Sequence, residues 1–360
     1  MEIISSSEKK KLYSLFGNIN KNEENKSEGL QKNQLSDILI IDGLNTFIKS
    51  FCVSPYMNMD GIHTGGISGF LKSVGYAIKL FNPTKCVIVF DGVGGSQKRR
   101  KIYPDYKNKR ITKIRINRTY LDNSDSDEEE KNLKKQLIRT VEYLKVLPLT
   151  VMSVDNVEAD DVIAYLALDK FKDSNITIMS SDKDSLQLAS NRVKIWSSTK
   201  KRLYGCAEIL SEYGISCENF INYRVLEGDV SDNIDGIYGA GLKTIKKCFP
   251  IFEHNHRYNL DEIFNYCETH KGKYKLHDTI LENKYLVQRN YDLMQLNETQ
   301  IQSFTQLRIN EIIDSQVSRL NRMQFVGLMR EDKIWNNIPN ANVWLSEVFT
   351  KLDNFIKQTP

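Results

Sequence analysis

The sequence predicts an α/β fold with a mainly parallel central sheet flanked by helices, followed by a helical C-terminal region. Three observations carry that expectation. Short runs that are apolar on both faces recur at Ile38-Leu39-Ile40-Ile41, Cys86-Val87-Ile88-Val89-Phe90 and Ile176-Thr177-Ile178-Met179. Such runs are typical of central strands in a parallel sheet. Helical periodicity lies between them, at about 66–81, 130–146 and 157–170. This alternation is that of strands joined by right-handed crossovers. Past Trp196 the pattern turns mostly helical, through to residue 360.

Taken in order, residues 1–36 are rich in Ser, Asn, Lys and Glu and read as a flexible extension. The α/β core is expected over 37–205, including a basic segment at 97–130. A Gly-rich region follows at 206–256, and helices with polar connections fill 257–360. A chain of 360 residues has room for two or three domains of the usual size. Hydrophobic residues make up 40%, enough for an ordinary core. No apolar run reaches the roughly 18 residues of a membrane span, and the N-terminus lacks the pattern of a secretory signal. The six cysteines form no C-x-x-C pair, so reduced, scattered thiols in a cytoplasm are expected rather than a disulfide scaffold or a zinc ribbon.

The net charge is only +4, from 50 Lys+Arg against 46 Asp+Glu. That average hides local blocks. Residues 98–118 hold ten Lys/Arg and one acid, and residues 122–130 hold six acids and no base. A basic block of this kind binds polyanions without regard to sequence.

The apolar runs end on acids: Asp42, Asp91 and, after Ser180-Ser181, Asp182. Ligands of open α/β sheets bind outside the carboxyl ends of the strands, so these acids should meet at one end of the sheet. Asp184 follows Asp182. Glu158-Ala159-Asp160-Asp161 opens a helix after the apolar stretch from Leu149 to Val154, and Asp229 and Asp232 sit in GDVSDN. Each Asp alone is an ordinary helix cap or turn residue. Together, nine carboxylates repel and need cations, and oxygen ligands without His or Cys suit Mg²⁺ or Mn²⁺. Two such ions can clamp both oxygens of a phosphodiester displacement.

At this point the motifs resemble a known family. IIDGLN, VIVFDG, YKNKR, VEADDVIA, SSDKDSLQL and EGDVSDNIDGIYGAGLKT occur in that order over about 37–250. They are similar to the flap endonuclease/5′→3′ exonuclease superfamily, especially bacteriophage 5′ nucleases of the RNase H type and the 5′-nuclease domain of bacterial DNA polymerase I. The resemblance implies a PIN/5′-nuclease-like fold with two divalent metals. It places Asp42, Asp91, Glu158, Asp160 and Asp161 on the tighter site and Asp182, Asp184, Asp229 and Asp232 on the second. It makes 97–130 a helical arch, in which Arg99, Arg100, Lys107 and Arg110 steer the scissile phosphate and Tyr106 stacks on a terminal base. Arg224 matches a DNA-contacting basic position. Residues 236–244 match the hairpin of a helix–three-turn–helix element. There Gly236, Gly239 and Gly241 let the backbone approach a phosphate, with Lys243, Lys246 and Lys247 beside it. Relatives often hold a monovalent cation at this hairpin, so K⁺ is a candidate there.

The acidic run 122–130 departs from the family pattern and reads as an arch tip that repels the duplex or, preferably, as a plain linker. His254 with His256, and Cys267 with His270, lack the ligand number and pairing of a zinc site. Gly92-Val93-Gly94-Gly95 lacks the Lys-Ser/Thr of a nucleotide-binding loop. On the extension, Leu12, Leu15 and Phe16 fit either a tethered anchor for a sliding clamp or a stray amphipathic turn. The expected function is a structure-selective, metal-dependent 5′ nuclease acting on duplex DNA with a 5′ end or flap, or on RNA/DNA hybrid, during DNA replication. The expected location is the cytoplasm, that of a host if the phage-like motifs mark a viral protein. A non-catalytic duplex-binding scaffold on the same fold, and an RNase of the PIN-like fold, are the alternatives. Retention of every acid argues against the first, and chain length with the GIYGAG hairpin argues against the second.

Overall fold

The computed structural model describes residues 37–108, 126–298 and 301–358. The apolar runs become strands of one sheet: β1 (Asp37–Asp42), β2 (Lys85–Asp91), β3 (Thr150–Val154), β4 (Asn175–Met179), β5 (Val193–Ser197) and β6 (Arg202–Tyr204). Their order is β3-β2-β1-β4-β5-β6. Every pair is parallel except β5–β6, an antiparallel hairpin at the edge. With β1 in the middle, its carboxyl end lies between those of β2 and β4.

Helices fill the crossovers. α1 (Gly43–Val53) and α2 (Gly65–Phe81) join β1 to β2, and α3 (Gln97–Ile102) and α4 (Ser126–Lys145) lie between β2 and β3. α5 (Ala159–Tyr165), prolonged by a wider π turn over Leu166–Lys170, leads to β4. The acidic run is therefore not simply a linker: its described end, from Ser126, forms the first turn of α4. Acids at a helix start are favoured by the exposed N–H groups there.

Beyond the sheet come α6 (Cys206–Tyr213), α7 (Phe220–Glu227), a small hairpin of β7 (Gly228–Asp229) and β8 (Ile234–Asp235), and α8 (Leu242–Cys248). The chain ends with α9 (Leu260–Thr269), α10 (Lys275–Glu282), α11 (Lys284–Met294), α12 (Ser303–Asp314), α13 (Arg322–Glu331) and α14 (Ala341–Gln358). Among the described residues no helix is long and apolar enough to cross a membrane.

Side chains of a strand alternate between faces, and this alternation builds two cores. Ile38, Ile40, Val87, Val89, Ile176 and Ile178 pack with α5 and the helices from α6 to α12. Leu39, Ile41, Cys86, Ile88 and Met179 pack with α1, α2, α4, α13 and α14. The C-terminal helices thus cover both faces of the sheet. On the second face, a Cβ at Gly75 of α2 would stand 2.6 Å from the Trp344 ring, so glycine lets α14 close onto α2. Trp344 in turn meets Phe349 edge to face at 5.4 Å.

One expectation about the cysteines is corrected. Cys206 and Cys217 form a disulfide, with Cα atoms 5.2 Å apart. The turn at Gly214, with φ 62°, folds the end of α6 back so that these residues meet. Cys86, Cys248 and Cys267 are free thiols.

Phe349 is fully buried in the second core. Phe349→Ala is expected to cost about 3–5 kcal/mol, read as a lower urea midpoint at unchanged m-value.

Candidate active site

The carboxyl ends of β1, β2 and β4 carry acids that are tied into the fold by their own hydrogen bonds. Asp42 ends β1 and caps α1, accepting from Asn45 N at 3.1 Å and from Ser180 Oγ at 3.3 Å. Asp91 ends β2 and accepts from Ala159 N at 2.9 Å, so it fixes the start of α5 and hence Glu158, Asp160 and Asp161. After β4, Ser180 Oγ accepts from Asp182 N, and Asp182 Oδ1 accepts from Asp184 N at 2.9 Å. Asp229 on β7 accepts from Ser231 N and Ser231 Oγ at 2.7 and 2.6 Å.

These groups burden one another. Burial pushes the Asp42 carboxyl up to about 7, with Asp91 and Asp182 adding to the push. Burial, then Asp182 and Asp42, raise Asp160 well above the ordinary carboxylate range. Burial, with Asp229 and Asp232, also raises Asp182. Asp184 is pushed by burial to about 7 against the pull of Arg224. Burial works upward at Asp229 too, but the Ser231 hydroxyl and Arg224 prevail and hold it low. The acids predicted from three strand ends and two loops therefore form one electrostatic group.

Cations from the chain answer part of this charge. Arg99 grips Asp161 with both Nη atoms at 2.6 and 2.9 Å and stands 3.2 Å from Glu158. Lys107 Nζ lies 2.9 Å from Glu158 Oε2 and 3.7 Å from Asp232. Its backbone has φ 57°, in the left-handed region, and is held there by Lys107 N donating to Asp232 O at 2.9 Å. A non-glycine residue in that region is strained, and such strain gathers at functional sites. Arg224 donates to Asp184 and Asp229 at 2.7 Å each and pairs with Glu227 as well.

Three of the expected roles change with this geometry. Arg224 was expected to face DNA but is 4% exposed, walled in by the acids it binds. Tyr106 was expected to stack on a base but is 3% exposed, its hydroxyl 3.1 Å from both Glu158 and Asp232. Arg99 is 8% exposed and cannot reach a substrate phosphate without leaving Asp161. Arg100, by contrast, is exposed on α3. Arg110 lies outside the described residues, as do Leu12, Leu15 and Phe16.

At the Gly-rich hairpin, a Cβ on Gly236 would meet the Glu227 carbonyl oxygen at 2.0 Å, so that glycine serves packing. Gly239, with φ 83°, and Gly241 have open space around them. Tyr238, just before Gly239, is 90% exposed, and Lys243, Lys246 and Lys247 are exposed on α8.

Sequence reasoning missed Lys49. It donates to Ser181 Oγ and Ser198 Oγ at 2.9 Å each, and burial lowers its pKa to about 8. The signal was readable: Asp42, Asn45 and Lys49 recur at helical spacing along one face, and Asn45 Oδ1 accepts from Ser181 N at 3.3 Å.

The donor set fits hard divalent cations. It is all oxygen, its charged forms are mutually unfavourable, and Glu158 Oε1 is buried without a hydrogen-bond partner. Among the described residues, no three His, Cys, Asp or Glu side chains already stand together at ligating distance. Carboxylates that repel lean instead on Arg99, Lys107, Arg224 and local hydroxyls.

Comparison with known proteins gives a consistent picture. Residues 37–214 match the model of the 5′-3′ exonuclease N-terminal resolvase-like domain. A 5′-3′ exonuclease of Aquifex aeolicus is 33% identical over 213 residues, 58% of this chain and 68% of that protein. A 5′-3′ exonuclease of Buchnera aphidicola is 30% identical over 240 residues, 65% of this chain and 76% of that protein. In fold, the chain is similar to the flap endonuclease of bacteriophage T5, solved as a pseudo-enzyme–product complex with DNA and metal ions. The TM-score is 0.58 at 19% identity, covering 82% of this chain and 99% of that one.

The raised pKa of Asp42 has a consequence for stability. A carboxyl that binds its proton more tightly when folded adds stability below its unfolded pKa and loses it as pH rises towards the folded value. The window runs from about 4 to about 7. Asp42→Asn is expected to raise the melting temperature at pH 8 in EDTA and to flatten the wild-type decline between pH 4 and 7. At roughly 1.4 kcal/mol per pKa unit the gain is bounded on the order of 4 kcal/mol. A variant no more stable than wild type at pH 8 would contradict the cost of burying this charge beside Asp91 and Asp182.

Proposed function

We propose, from the premise that this chain belongs to the 5′-3′ exonuclease family, that it cuts phosphodiester bonds near 5′ ends and flaps with two divalent metals held by the clustered acids. It is a 5′ nuclease, and the finer reading concerns how its residues share the work. The observation that carries this reading is the acid cluster. Asp42, Asp91, Glu158, Asp160 and Asp182 gather at the carboxyl ends of the strands, with the charges of Asp42, Asp160 and Asp182 incompletely offset and Glu158 Oε1 without a hydrogen-bond partner.

Asp42, Asp91, Glu158, Asp160 and Asp161 would hold one ion, and Asp182, Asp184, Asp229 and Asp232 the other. Asp161, Asp184 and Asp229 are already committed to Arg99 or Arg224, so they act more through charge than through direct ligation. Bound there, Mg²⁺ or Mn²⁺ supplies the lowered water pKa and the Lewis acidity that in-line hydrolysis needs. Lys107 is the cation placed to meet the scissile phosphate, since it already sits among the acids and is not closed off as Arg99 and Arg224 are. Arg100 and Arg110 add positive charge along the arch, 97–130. Tyr106 keeps its proton, because burial and Glu158 raise its pKa, and so it orients Glu158 and Asp232 as a neutral hydroxyl.

Duplex binding falls to the hairpin around Gly239 and Gly241, with Lys243, Lys246 and Lys247. Exposed backbone N–H groups and lysines read a phosphate backbone without base information. The open backbone at Gly239 and Gly241 has room for a K⁺ ion. On this reading 37–205 forms the acid site with its arch, 206–256 the duplex-binding element and 257–360 a helical support. The substrate is DNA with a 5′ end or flap, or RNA/DNA hybrid, and the setting is replication in the cytoplasm.

Incubating a flap-strand-labelled 5′-flap duplex with Mg²⁺ should give products near the single-strand/duplex junction, and EDTA should abolish them. Asp182→Asn should cut cleavage by at least about 100-fold while duplex affinity in EDTA stays within about twofold. Loss of duplex binding by a variant that still folds would count against the assignment of Asp182 to the metals.

A further inference from the structure

α11 lies in the C-terminal region for which the sequence offers no role, yet it touches all three parts of the acid site. The Leu293 carbonyl accepts from Arg99 Nε at 2.8 Å, and Arg99 is the residue that grips Asp161. The Met294 carbonyl accepts from Gln187 Nε2 at 3.0 Å, and the same nitrogen donates to the Asp184 carbonyl at 2.9 Å. Just past the helix, Leu296 N donates back to Gln187 Oε1 at 2.8 Å. One turn earlier, Asn290 Nδ2 donates to the carbonyls of Val225 at 3.1 Å and Asp235 at 2.8 Å. Val225 adjoins Arg224, and Asp235 closes the hairpin that carries Asp229 and Asp232. Arg99, Gln187 and Asn290 are all buried.

The chemistry suits this use. The last carbonyls of a helix have no intrahelical partner, and here two of them accept from side chains that serve the acid site. They also carry the negative end of the helix dipole, which favours a guanidinium such as that of Arg99. The braces to 182–184 and 229–235 are uncharged, so they fix position without adding to or screening the carboxylate charge.

We propose that α11 sets the spacing of the acids, with Asn290 and Gln187 as positioning residues for divalent-metal binding. This rests on the metal-dependent reading given above. Three clusters from separate stretches of chain repel one another, and one helix holds a neighbour of each by a buried hydrogen bond: Arg99 beside Asp161, Gln187 beside Asp184, and the hairpin that carries Asp229 and Asp232. Supporting groups of this kind typically change metal affinity by about 10–100-fold when removed.

The test compares Asn290→Ala and Gln187→Leu with wild type and with Tyr285→Ala, a change at the 82%-exposed position on the same helix. Four quantities are read: the Mn²⁺ concentration for half-maximal cleavage, kcat at saturating Mn²⁺, KM for the flap duplex, and the Mn²⁺-induced rise in melting temperature. The expected result is an increase of about tenfold or more in the half-maximal Mn²⁺ concentration. With it should come a smaller Mn²⁺-induced thermal shift, kcat largely restored at high Mn²⁺ and KM unchanged, while Tyr285→Ala behaves as wild type. If a variant melts below the assay temperature, Gln187→Asn, which keeps the amide but shortens its reach, is read on the same quantities. Variants that melt lower yet keep the wild-type Mn²⁺ midpoint overturn the proposal, leaving α11 a purely stabilising helix. A wild-type protein with neither Mn²⁺-dependent cleavage nor a thermal shift overturns the metal reading itself. That outcome is distinct, because it appears before any variant is made.

Discussion

The rest of the structure is organised around the repulsion between carboxylates at the ends of β1, β2 and β4. Parallel strands necessarily deliver their carboxyl ends to one edge of the sheet, so three apolar runs that each lead to an Asp concentrate charge in one place. Burial makes the charge costlier, as the upward shifts of Asp42, Asp160, Asp182 and Asp184 show. A fold that keeps such a group must offset it with its own cations, with bound ones, or with both. Here Arg99 and Arg224 pair with the outer members, Asp161, Asp184 and Asp229, whereas the carboxylates of Asp42 and Asp182 accept from neutral donors, Asn45 N and Ser180 Oγ for the first and Asp184 N for the second. The incompletely offset acids are the inner ones at the strand ends, where a metal ion would be coordinated by several chain segments at once.

That division explains why basic residues in one neighbourhood behave differently. Arg99 and Arg224 have planar forks that satisfy two carboxylate oxygens or two neighbouring acids, and such pairs survive burial. Lys107 is a point charge on a flexible stem, held by a strained backbone next to Glu158 and Asp232. A lysine can exchange a carboxylate for a phosphate at smaller geometric cost than a bidentate arginine can. The arginines therefore fit a structural role and Lys107 a substrate-facing one, though all lie in or beside the same basic and acidic motifs.

Much of this was legible in the sequence, and what was not has a physical reason. A β-branched run followed by Asp is a local signal, so β1, β2 and β4 and the acids that follow them could be read directly, whereas the short edge strands β5 and β6 fell where a helical pattern was expected to begin. The helices α2 and α4 lie where periodicity placed them, give or take the acidic first turn of α4. The burial of Tyr106 was not readable, because it depends on the segment after α3 packing against the β7–β8 hairpin, 126 residues away along the chain, and that of Arg224 depends on Asp184, 40 residues before it. The Cys206–Cys217 disulfide depends on a turn at Gly214 that spacing alone does not reveal. The amphipathic helices after residue 257 were visible as helices, but an apolar stripe does not say which surface it meets. That surface proved to be both faces of the sheet.

The packing of those helices bears on how the site tolerates its own charge. Acids that repel will separate unless the segments carrying them are anchored elsewhere. A loop has too little buried contact to resist, whereas a helix locked into the core can. α11 belongs to the first core through Val287, Leu293 and Met294, and from that footing it holds Arg99, Gln187 and the β7–β8 hairpin. Hydrophobic burial far from the chemistry is thereby converted into fixed distances between like charges. Residues 37–214, which match the family model, carry Asp42, Asp91 and Asp182, but the helix that braces their surroundings lies outside that span. Asp229 and Asp232 lie outside it too, so the matched span carries neither the full set of acids nor the frame that keeps them together.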